Sequence, residues 1–94
     1  MMSKIPINLD KIKKEDIDRE ILRAGIIAEY DAISLYEQMA ALAKNGDIRK
    51  VLLDVAKEEK THVGEFQALL LRIDSEQAKE LEHGSEEVRE LTGK

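Results

Sequence analysis

Lys44-Asn45-Gly46-Asp47 divides this 94-residue chain into two long stretches of helical patterning, and its reading decides the fold. Asn-Gly is a strong signal for the end of a helix, because the chain there often turns through a left-handed residue. Asp47 stands where it can cap a helix that follows. Working back from this point, the pattern predicts a helix from about Glu15 to Lys44; working forward, it predicts a second from about Ile48 to Ile73. Each would be ~40 Å long at about 1.5 Å per residue, and so tight a connection makes them antiparallel neighbours. Asp74-Ser75 closes the second helix. A short charged helix is then expected to Glu82, with a break at Gly84 and a last turn or two beginning at Ser85-Glu86-Glu87-Val88. Residues 1–14 read as an extended leader, since Pro6 removes a donor and disfavours helix before it. With no internal repeat, the expectation is one all-α domain over residues 1–94: a two-helix hairpin plus a short C-terminal helix.

Composition agrees with this class. The chain is 43% hydrophobic and 37% charged, with two tyrosines, one phenylalanine, one proline and no tryptophan. Few turn formers and few aromatics describe a helical protein. Cysteine is absent, which removes disulfides, thiolate metal sites and cysteine nucleophiles together. Any metal must then be held by carboxylate and imidazole, a donor set that suits iron, manganese or zinc. A net charge of −5 argues against nucleic acid and anionic membranes as partners. No apolar run approaches the ~20 residues of a membrane span, and the first residues lack a signal peptide's apolar core and cleavage site. The chain reads as soluble and cytoplasmic.

The helical seams carry more. Leu22, Ile26, Glu29, Ile33, Tyr36, Ala40 and Ala43 recur at alternating steps of four and three along the first helix. Ile48, Leu52, Val55, Glu59, His62, Phe66, Leu69 and Ile73 do so along the second. These are the a/d positions of left-handed bundle packing. A further line on the first helix, Ile21, Gly25, Ala28, Ala32, Leu35, Met39 and Leu42, adds more apolar surface than two helices can cover for each other. Self-association is therefore expected, with Gly25, Ala28 and Ala32 allowing close approach on that second face.

Glu29, Glu59 and His62 interrupt the apolar seams at mid-helix. An unpaired carboxylate in a core costs several kcal/mol, so each needs compensation. Glu59 and His62 stand one turn apart on one face. Glu29 lies at nearly the same distance from the loop on the other helix, hence at similar depth. Two chains related by a two-fold axis would bring together two copies of Glu29 and two of the Glu59-x-x-His62 pair, the donor pattern of di-iron carboxylate bundles. Four carboxylates would balance two divalent ions; without metal they would repel and some would protonate. The plainer alternative is a Glu59–His62 hydrogen-bonded pair with Glu29 setting register, but it leaves excess negative charge in a dry core. A second match, Glu80-x-x-His83, falls off the apolar line of Ala78, Leu81, Val88 and Leu91 and reads as a solvated helix end. Tyr36, two turns after Glu29, has either a packing role or a place beside the metals. Asp31, Glu58 and Glu65 fall off the seam; their plain reading is solvated charge, and the alternative is an acidic route for incoming cations.

The stretch Glu29-Tyr30-Asp31-Ala32-Ile33-Ser34-Leu35-Tyr36-Glu37-Gln38 and the stretch Glu58-Glu59-Lys60-Thr61-His62 resemble the encapsulated ferritins. The likeness runs from about residue 15 to residue 92 and is strongest to the ferritin-like domains that some archaea fuse to the front of an encapsulin shell protein. It implies a helical hairpin whose homodimer completes a ferritin-like four-helix bundle, with a di-iron ferroxidase centre at the dimer interface. It also implies a ring of dimers, commonly a decamer, inside an encapsulin nanocompartment. On this resemblance Glu29, Glu59 and His62 are iron ligands from both chains, with Tyr36 their neighbour in the catalytic centre. Asp31 matches a position where family members place an acid that captures incoming metal, whereas Ala28 stands where another would be. The chain stops at Lys94 without the short tail that directs separate cargo into a shell. Either the natural protein continues into a shell domain or targeting works otherwise.

The leading functional expectation is a ferroxidase with Fe(II) and O₂ as substrates and two Fe per dimer interface. Hard carboxylate oxygens favour Fe³⁺ and change coordination mode readily. A di-iron peroxidase or oxygenase would need an electron donor, and no cysteine rubredoxin-type site is present. A non-catalytic helical adaptor is the remaining alternative.

Overall fold

Asn45, not Asp47, opens the second helix. The structure, a computed structural model, describes residues 8–94, and its long helices are α1, Ile17–Leu42, and α2, Gly46–Ile73. The Asn45 side-chain oxygen accepts the backbone N–H groups of Asp47 at 2.9 Å and Ile48 at 3.1 Å, satisfying two donors that α2 would otherwise leave orphaned. Asp47 sits inside the first turn, where its carboxylate complements the helix dipole. The left-handed cap expected at Asn45-Gly46 does not form. Ala43 leaves α1 in an extended conformation (φ −67°, ψ 132°), and among the described residues Gly93 alone has a positive φ. Arg49 explains why no such cap is needed. Its guanidinium reaches back from α2 and donates to the carbonyl oxygens of Ala40, at 3.3 Å, and Ala43, so a basic side chain serves the carbonyls at the end of α1 in place of a left-handed turn.

The third helix, α3, runs over Ser75–Thr92 and is longer than the sequence suggested. Gly84 lies inside it. One glycine costs a helix only about 1 kcal/mol, and one side-chain pair straddles this one, His83 with Glu87 at 3.3 Å, while His83 with Glu80 at 3.3 Å and Arg89 donating to Ser85 at 3.1 Å flank it on either side. His83 is thus a mid-helix residue rather than part of a helix end. The helix ends instead at Gly93, in the left-handed conformation (φ 74°). A single residue, Asp74, joins α2 to α3. One of its carboxylate oxygens accepts the Gln77 N–H at 3.0 Å and the other meets the Arg23 guanidinium at 3.4 Å, tying the corner to α1.

Within the hairpin, Ile33 and Ala40 of α1 and Ala56, Val63 and Leu70 of α2 are the buried residues. On α2 this line is displaced by one position from the expected seam. Ile48, Leu69 and Ile73 stay about half exposed and join Ile21, Leu35, Met39 and Leu42 in a bare apolar face. Gly25 also differs from expectation: its neighbour is Phe66 of the same chain. From Lys79 onward α3 is exposed throughout. The radius of gyration, 16.6 Å, exceeds the roughly 12 Å of a compact domain this size. No helix among the described residues is long and apolar enough to cross a membrane. The segment read as an extended leader is described from Asn8, where short 3₁₀ turns occur at Leu9–Lys11 and Lys14–Asp16; Pro6 lies outside the described residues.

Candidate metal centre

Helical spacing and the tight joint together assemble three donors. Glu59 and His62 share one face of α2 because a step of three nearly completes a turn. Glu29 faces them from α1 because it lies at matching depth in the hairpin. The His62 Nδ1 atom stands 3.4 Å from the Glu59 Oε2 atom and 3.5 Å from the Glu29 Oε2 atom. One ligand atom from each of the three residues falls within 4.8 Å of the others. The two carboxylates are mostly covered, at 17% and 19% side-chain exposure, while His62 is 43% exposed. The cluster therefore occupies the rim where the hairpin core gives way to the bare apolar face.

These residues suit a bound cation. Glu29 Oε2 is buried and accepts no hydrogen bond, a costly state for a carboxylate oxygen in any core. Its 3.5 Å separation from His62 Nδ1 is too long for a good hydrogen bond. It is close to the ~3.0–3.4 Å at which two donors each about 2.1 Å from one metal ion stand apart. The donor set, two hard carboxylates and one imidazole, is that of iron, manganese or zinc.

The other singled-out residues lie elsewhere. Tyr36 is half-buried on α1, two turns beyond Glu29 and outside the three-residue cluster. Asp31 is half-buried, off the face that carries Glu29, and has an interaction of its own. Glu58 and Glu65 are exposed on α2. Glu80 and His83 form an exposed pair on α3, apart from the centre. Two contacts within the hairpin escaped the sequence reading. Arg49 follows the loop closely enough to reach the preceding carbonyls, a usable signal for such a cap. Phe66 and Gly25 stand one turn beyond the ligands on their own helices, and only the register of the hairpin reveals that they meet.

An all-helical hairpin with a Glu from one helix set against Glu-x-x-His from the other defines the ferritin-like class of helical domains. A family model described as Rubrerythrin matches residues 20–92, and the chain belongs to this family. A crystal structure of the encapsulated ferritin domain from Pyrococcus furiosus is 57% identical and superposes with a TM-score of 0.85, covering 100% of this chain and 98% of that one. The resemblance to encapsulated ferritins thus extends to the whole backbone. A ferritin-like–encapsulin shell fusion protein of Pyrococcus furiosus is 61% identical over 87 residues, 93% of this chain and 25% of that protein. The encapsulin nanocompartment cargo protein EncC of Myxococcus xanthus is 35% identical over 82 residues, 87% of this chain and 62% of that protein. The chain thus spans about a quarter of the first relative and less than two thirds of the second.

Proposed function

We propose that this domain is an iron-handling oxidoreductase, specifically a ferroxidase, whose di-iron centre is completed when two copies pair through their bare apolar faces. The observation that carries the reading is Glu29 Oε2, a buried carboxylate oxygen without a hydrogen-bond partner beside Glu59 and the open side of His62. Ile21, Leu69 and Ile73, each roughly half exposed, give the pairing its driving force, since apolar faces of this kind seek cover. Two copies would pool four carboxylates and two imidazoles. The carboxylates would neutralise two Fe²⁺ ions brought in as substrate and, as hard anionic donors, favour the ferric product. Each Fe²⁺ gives up one electron and O₂ accepts both. His62 supplies a neutral donor, and the surrounding apolar side chains limit water. Tyr36 stands near the centre in this scheme, and Asp31 on the path of incoming metal.

The three helices of the described residues enclose no volume for a mineral, so the Fe³⁺ needs an external store. Kinship with a shell fusion protein and with an encapsulin cargo protein supports an encapsulin compartment in the cytoplasm as that store; within it the dimers would form a ring, commonly of ten chains. The test is near-UV absorbance during aerobic addition of Fe²⁺ to metal-free protein, with Glu59→Ala alongside. The expected result is a rapid ferric signal that saturates near one iron per chain and is lost in the variant. Oxidation no faster than in buffer would leave a helical adaptor as the better reading.

A further inference from the structure

Gly25 stands four residues before Glu29 on α1, and Phe66 four residues after His62 on α2. In an antiparallel hairpin the pair Gly25–Phe66 is therefore the layer next to the pair Glu29–His62. A Cβ atom placed on Gly25 would meet Phe66 Cδ2 and Cε2, each at 3.2 Å, and Cγ at 3.6 Å. The α1 backbone thus rests against the phenyl ring, closer than any other residue type would allow without a shift. Gly25 has no positive φ, so its backbone conformation does not require glycine; the approach of the ring does. In metal sites the ligand distances fall within about 0.2 Å of their standard values. A change of a few tenths of an ångström in helix separation one turn away would be felt between Glu29 on α1 and Glu59 and His62 on α2.

We propose that Gly25 and Phe66 form the spacer that sets the distance between the two halves of the metal centre, which makes them positioning residues for a divalent cation. The proposal rests on the metal reading of Glu29, Glu59 and His62. Gly25→Ala would push the ring or spread the helices, opening the donor triangle while improving helix propensity. Phe66→Leu would let the helices close and disturb the triangle in the opposite sense. The double variant would restore the spacing, because a shorter side chain then accepts the added methyl.

The test uses Co²⁺ as probe on the full chain, reading affinity by calorimetric titration and site geometry by the visible d–d bands. Thermal melting of the metal-free protein runs in parallel. Gly25→Ala should remain folded and helical without metal, and bind Co²⁺ about tenfold more weakly with shifted bands. Phe66→Leu alone should also shift the bands, and the double variant should regain the parental affinity and spectrum. Parental binding in both single variants overturns the spacer, as does a double variant no better than Gly25→Ala. Should Gly25→Ala fail to fold, Phe66→Leu alone decides the matter, since parental bands in it contradict the proposal. A parent chain that itself gives no Co²⁺ bands would remove the metal reading, and the spacer with it. Parental binding beside an indifferent Gly25→Ala would remove the spacer alone.

Discussion

Glu29 Oε2 of α1 faces His62 Nδ1 of α2 at 3.5 Å, and this oxygen is buried without accepting a hydrogen bond. A carboxylate held so close to an imidazole, yet unbonded, is the arrangement that the proposed metal would satisfy. The same pair would be an inexpensive hydrogen bond if packing were the only requirement.

Replacing Glu29 therefore separates function from stability. Glu29→Leu removes a poorly satisfied carboxylate from the seam and substitutes a side chain that packs, so the metal-free protein should gain roughly 1–3 kcal/mol. The same change should abolish cation binding. Thermal denaturation followed by circular dichroism, with and without divalent metal, checks both halves. A loss of metal-free stability would mean that Glu29 holds the hairpin together by itself.

The loop makes a paired prediction. Asn45→Ala deletes the oxygen that accepts the Asp47 and Ile48 N–H groups and should cost about 1 kcal/mol. Gly46→Ala should be neutral or stabilising by up to about 1 kcal/mol, because Gly46 begins α2 with an ordinary φ and nothing lies within 4 Å of its added Cβ. Chemical denaturation of both variants tests this. A costly Gly46→Ala would restore the left-handed turn that the bare sequence suggests.

Much of this was legible in the sequence, and the failures share a cause. The two long helices and the joint between them followed from periodicity and from Asn45-Gly46. Glu29, Glu59 and His62 stood out as polar residues in apolar lines, and the structure brings them together. The core line of α2 was misplaced by one position because Ala56 is small and drew less weight than Ile48, Leu69 and Ile73. Those stronger hydrophobes belong to the uncovered face, so hydrophobicity alone exchanged an inner surface for an outer one. Gly84 looked like a break because the contacts of its neighbour His83 with Glu80 and Glu87 matter only once the helix exists. The Gly25–Phe66 contact depends on the register between helices, which no single-helix pattern contains.

The bare face yields a further expectation. Leu69 is 47% exposed, so Leu69→Lys should cost the isolated hairpin little, within about 0.5 kcal/mol. Placed in a pairing face, the same lysine would bury a charge and should shift the chain from dimer or larger ring to monomer. Sedimentation velocity of parent and variant reads this directly. An unchanged oligomeric distribution would exclude the Leu69 side of α2 from the contact.

The proposed iron site would belong to two chains rather than one. Native mass spectrometry after anaerobic addition of Fe²⁺ tests it most directly, because it counts metal separately in each oligomeric species. Two iron ions are expected on the dimer, retained in multiples in any larger ring, and none on the monomer. One iron on each monomer, or dimers that form without binding any, would contradict it.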